Sequence, residues 1–128
     1  MALDAIAEDV FATLSAAPGL PPVVYPNVGV DVPAAPHLRV FILPANTDTV
    51  GLNSFEVEQG IIQISVYEAQ GQGAIGPYAT AELILNTVFP RGFSTLNFRV
   101  IKAGSLGPAI VDGAWYVVPV SISYINVR

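Results

Sequence analysis

The stretch Phe55-Glu56-Val57-Glu58-Gln59-Gly60-Ile61-Ile62-Gln63-Ile64-Ser65-Val66-Tyr67-Glu68 decides the fold, because its side chains alternate in character with a period of two. Ile62, Ile64 and Val66 share one face, and Gln63, Ser65 and Tyr67 the other. Such alternation belongs to a half-buried antiparallel strand, and Gly60 marks an expected bulge within it.

Upstream, residues 44–54 read Pro-Ala-Asn-Thr-Asp-Thr-Val-Gly-Leu-Asn-Ser, a turn-rich mixture without a period. Its length predicts a functional or mobile loop rather than a tight connection. Residues 38–43 are β-branched, aromatic or apolar apart from Arg39, and predict a strand that Pro44 ends. Between positions 18 and 36 six prolines exclude a helix and imply extended chain. At the start, Leu3, Ala7, Val10 and Leu14 recur with helical spacing, so residues 3–16 predict an amphipathic helix stopped by Pro18 and Gly19. Asp4, Glu8 and Asp9 lie in its first half and favour the positive end of its dipole.

Downstream, glycines at 71, 73 and 76 precede Pro77, which is placed to set the first turn of a second helix. Ala81, Ile84, Leu85, Val88 and Phe89 form its apolar face, and Pro90 and Gly92 end it. Residues 93–101 predict a strand, and 104–113 a turn-rich connection with room for a short one. The last strand covers 115–127, with Tyr116, Val118, Val120, Ile122 and Tyr124 on one face. Pro119 within it suggests an edge position or a bulge. The expected architecture is α+β, in the order α-β-β-α-β-β: one mainly antiparallel or mixed sheet packed by two helices in a single domain spanning 1–128.

Composition narrows the function classes. The chain has 52% hydrophobic but only 12% charged residues, against about 25% charged in ordinary soluble domains. Sixteen alanines account for part of this excess; the remainder implies apolar surface that another chain covers. A net charge of −5, with Arg39, Arg91, Arg99, Lys102 and Arg128 scattered, lacks the basic patch of a nucleic-acid binder. The absence of Cys removes disulfides, thiolate metal sites and a Cys nucleophile. No apolar run approaches the ~20 residues of a membrane span, and the acidic start is wrong for a signal peptide. A protein made and kept in a cytoplasm, outside any membrane, is the expectation.

The enzyme-like motifs are weak. Gly71-Gln-Gly73-Ala-Ile-Gly76 is a literal G-x-G-x-x-G between a strand and a helix. In a dinucleotide fold the helix opens near the second glycine and an acid follows about 20 residues later; here Pro77 defers the helix and no acid lies between Glu82 and Asp112. A flexible connection is the favoured reading, with a small nucleotide- or ligand-binding domain as the rival. His37, the only histidine, has no nucleophile motif to serve and reads as a surface residue at a strand start. Glu56 and Glu58 share a face and could bind a cation or transfer protons, but a solvated face is favoured. Trp115, Tyr116 and Tyr124 could stack on a sugar or base; core and rim packing is the simpler account. The expectation is no enzyme, no catalytic residue, no cofactor and no metal.

The order of features resembles the small tail-terminator proteins of long-tailed phages over nearly the whole length. The resemblance is carried by the helix ending at Leu14, Tyr25-Pro26-Asn27 before the proline-rich run, and Leu38-Arg-Val-Phe. It continues through 59–67, Gly71 to Gly73, Phe89-Pro90 and the ending from Asp112 to Tyr124. It implies a structural protein of the virion tail: a ring of six copies at the head-proximal end of the tail tube, ending tube growth and allowing head attachment. Its implied partners are its own copies, the tail tube protein and a head–tail connector protein, with DNA sliding through ungripped. Another neck or tail-completion role is the nearest alternative. Val50, Leu52 and Phe55, apolar residues of the 44–55 segment, are expected to meet a neighbouring subunit or the tube.

Overall fold

The computed structural model describes residues 3–26, 36–45, 48–50, 55–71 and 73–127, with side chains at all of these but 48–50, 55–57 and 127. Helix α1 (Leu3–Ala16) turns Ile6, Val10 and Leu14 into the core, the inward stripe that its spacing dictates. After the short β1 (Val23–Val24) come β2 (His37–Pro44), β3 (Asp48–Val50) and the long β4 (Phe55–Ala69). Helix α2 (Ile75–Leu83) runs into a π-helical turn (Ile84–Val88). The chain closes with β5 (Arg99–Val100), β6 (Ser105–Leu106), β7 (Ile110–Asp112) and β8 (Trp115–Val127).

Among the described residues one sheet of eight strands forms, in the order β1-β2-β4-β8-β5, with β3 added on β4 and β6 and β7 on β8. Only β1–β2 is a parallel pair, so the sheet is mixed and the α+β class holds. Its spine is the ladder from Val57↔Val127 to Ala69↔Trp115. Directly opposite residues share a face. Leu38, Val40, Ile62, Ile64, Val66, Val118, Val120, Ile122 and Tyr124 therefore form one apolar layer, and both helices cover it.

Several expectations change. Segment 44–54 is not simply a loop: Asp48↔Val57 to Val50↔Phe55 continue the pairing into a hairpin. Both ladders run through Gly60 without a slip, from Leu43↔Ile61 to Pro44↔Gly60 and from Ile61↔Ser123 through Gly60↔Tyr124 to Gln59↔Ile125, so no bulge lies there. Gly60 is instead a close-approach position, where a Cβ would stand 2.6 Å from both the Leu43 carbonyl oxygen and the Tyr124 hydroxyl.

The 93–101 strand shrinks to β5, because Thr95 competes for the backbone. Its Oγ1 accepts from the amides of Asn97 and Phe98, and its own amide donates to Phe98 O. Phe93 and Phe98 serve the core from this turn. Pro119 sits in a strand flanked on both sides, rather than at an edge or bulge. Its carbonyl accepts from Gly107 N in the gap between β6 and β7, so its missing N–H faces the interrupted side of the sheet.

Helix α2 opens at Ile75, which puts Gly76 and Pro77 inside its first turn, where proline's missing N–H has no helical partner to lose. At the other end Phe89 N donates to Ile84 O at 2.9 Å. This five-residue step widens the helix and lets Val88 and Phe89 both be buried.

Candidate interaction surfaces

The second face of the sheet carries the odd-numbered residues of β2, β4 and β8, and among the described residues no helix packs on it. Phe41, Leu43 and Ile61 are exposed there, Leu43 directly opposite Ile61. Towards its Trp115 end lies a groove of about 300 Å³ whose walls are apolar, with Phe41, Tyr67, Ile110 and Val117, and whose lining also includes the polar Gln63, Ser65 and Asp112. The signal for this face stands in β2 itself. From Val40 to Leu43 the strand is apolar on both faces, since Val40 and Ile42 alternate with Phe41 and Leu43, as in strands covered on both sides.

The face is interrupted by an aromatic cluster at the start of β2. His37 is fully buried, which overturns its reading as a surface residue. Its ring stacks on Tyr67 (centroids 4.8 Å apart) and meets Trp115 edge-on at 5.0 Å. Arg39 lies over Tyr67 at 4.3 Å and donates from Nε to His37 Nε2 at 3.3 Å. Cross-strand pairing makes this cluster: His37 faces Tyr67, and Tyr67 faces Val117, two residues from Trp115. The arrangement occupies His37 Nε2 as an acceptor and orders a cation over an aromatic ring; it is a packing unit.

Glu58 is also buried, not solvated, and contributes to the environment of Tyr124. Burial, and secondly the Glu58 charge, push the Tyr124 phenol above its ordinary value. Tyr116 is half-buried, and its hydroxyl meets that of Tyr78 at 3.5 Å. The core-and-rim account of the aromatics is thus the observed one. The Glu56 side chain lies outside the described residues.

At the glycine-rich connection Gly71 and Gly73 hold φ of 92° and 83°, which a turn needs and other residues resist. The Glu68 carboxylate lies so close to Gly76 that a Cβ there would be 2.9 Å from Oε2. A carboxylate beside the first turn of α2 opposes the approach of a phosphate.

Of the expected contact residues, Val50 and Phe55 pair across the β3–β4 hairpin. Leu52 lies outside the described residues, as do the side chains of Val50 and Phe55. Sequence reasoning missed Leu96, which is 97% exposed in the turn between Ser94 and Arg99. Among the described residues no group of three His, Asp or Glu is placed to hold a metal ion. Nor, among these residues, is any helix long and apolar enough to cross a membrane.

Fold and surfaces define the class: a small α+β domain whose sheet is packed by helices on one side and, among the described residues, exposes an apolar patch of Phe41, Leu43 and Ile61 on the other, without a catalytic constellation among the described residues. The chain belongs to the phage tail terminator family, whose model, described as phage tail terminator protein, matches residues 2–124. That family is structural rather than enzymatic, and its members complete the virion tail. A solved chain whose name states no function is 25% identical over 94% of this chain and 95% of its own length, with a TM-score of 0.66. No curated protein matches.

Proposed function

We propose that the protein caps the head-proximal end of the phage tail tube as a closed ring of six copies, ending tube growth and offering a face for the head–tail connector protein. The observation that carries this reading is the exposed apolar patch of Phe41, Leu43 and Ile61, on a sheet face that no described helix covers, in a chain only 12% charged. Isolated monomers rarely leave contiguous apolar surface in water, and a closed ring covers it by head-to-tail contact between copies. The charge of −5 suits a ring through which DNA slides without being gripped. Copies of itself and the tail tube protein are the partners in this reading, and no cofactor is required.

The β3–β4 hairpin, with Val50, Leu52 and Phe55, is the part assigned to a neighbouring subunit or the tube. Replacing Leu52 and Phe55 with Ser should leave the fold intact and prevent capping; unchanged assembly would remove the hairpin from the interface. The reading as a whole is tested by particles made without the protein. Tails of uncontrolled length and unattached heads are expected, whereas tails of normal length with heads in place would overturn it.

A further inference from the structure

A ring closed head-to-tail needs two different patches on each subunit, set apart so that one copy's projection fills the next copy's recess. We propose that the projection is the turn bearing Leu96 and that the recess is the groove between Phe41, Tyr67, Ile110 and Val117 on the open sheet face of the neighbouring copy. This rests on the ring reading and adds to it which residues join one copy to the next.

Leu96 is almost wholly exposed, yet its turn is fixed. Thr95 Oγ1 and Asn97 Nδ2 both donate to Asp9 Oδ2 on α1, at 2.6 and 3.0 Å. Thr95 N donates to Phe98 O at 2.8 Å, and Phe98 is buried beneath the turn. A large apolar side chain held out on a rigid support has little entropy left to lose on docking, the property of an interface anchor. Ile75 is also highly exposed, but it follows the end of β4 that pairs with Trp115. That is the groove's own end of the sheet, so Ile75 cannot supply the second, separated patch.

Leu96 meets the distance requirement. Its turn leads into Arg99, which pairs with Ile125, while Asp112 in the groove pairs with Trp115. The groove's own β8 residues, Pro119 and Val117, lie six and eight residues from Ile125, roughly 20–26 Å at strand rise. Charge fits as well. Copies with a net charge of −5 repel, and Arg99, one of five cations in the chain, is exposed beside Leu96, while Asp112 is exposed at the groove. Docking sets this cation against that acid, which offsets repulsion and fixes register.

The chain has no Cys, so a protein carrying both Leu96→Cys and Ile110→Cys reports the contact directly. Supplied to particles lacking the native protein and then oxidised, it should give a covalent ladder extending beyond the dimer in non-reducing gels. Either single variant should give no ladder. Leu96→Asp, at a position too exposed to disturb folding, should release tail length control. Arg99→Glu and Asp112→Arg should each weaken it, and the double exchange should restore it. Controlled tails with Leu96→Asp, or no ladder beyond the dimer, overturn this contact while leaving the ring reading standing. Normal tails in particles that lack the protein altogether overturn both.

Discussion

Gly60 shows how much a single side chain, or its lack, can matter here. It sits in the middle of β4 between Leu43 and Tyr124, where even a methyl group would meet the carbonyl oxygen of one and the phenol of the other. Tyr124 cannot retreat, because it is buried and its ring meets Phe98 edge-on at 6.2 Å. Gly60→Ala should therefore cost about 1–3 kcal/mol despite the better strand propensity of alanine, as overpacking of a filled core does. Urea denaturation measures this. A change below about 0.5 kcal/mol would show that the Tyr124 ring has room to move.

Asp9 is the tie between elements, since its carboxylate holds the turn before β5 to α1 through Thr95 and Asn97. Asp9→Ala removes two hydrogen bonds to a charged group and should destabilise the protein by about 1.5–3 kcal/mol. Amide exchange in that turn should accelerate more than in β4 or β8, and an even loss of protection would mean that the turn is held by other means. This tie also explains where sequence reading worked. The helices α1 and α2 and the strands β4 and β8 are long, and their periodicity survives in many residues at once. The segment 93–101 looked like a strand because Phe93, Phe98 and Val100 are strand formers. Thr95 and a distant aspartate decided otherwise, and neither leaves a periodic trace. His37 was misread for the same reason, because its burial depends on Tyr67 and Trp115, which only the β2–β4–β8 register brings beside it. The open face was legible in the doubly apolar β2, whereas the groove required β7, a strand of three residues, to be placed on β8.

For the whole molecule, a sheet is stable when both faces are accounted for, and among the described residues this one has helices on only one. Leu43 and Ile61 are 48% and 39% exposed and directly opposite one another, one ladder position from Gly60. They continue the surface from the groove toward the β3–β4 hairpin, so a neighbour seated on the face would cover all three together. Each large apolar side chain fully withdrawn from water contributes roughly 1.5–3 kcal/mol, and in the lone chain these two remain half in solvent. Leu43→Ser combined with Ile61→Ser should consequently lower the stability of the isolated chain by no more than about 1–2 kcal/mol, with its circular dichroism unchanged. The same pair should abolish tail capping, because the lost burial would recur at every subunit boundary of a ring. Electron microscopy of tails assembled with this variant decides the matter: overlong tails place the open face in an interface, and tails of native length show that its apolar side chains stay in water after assembly.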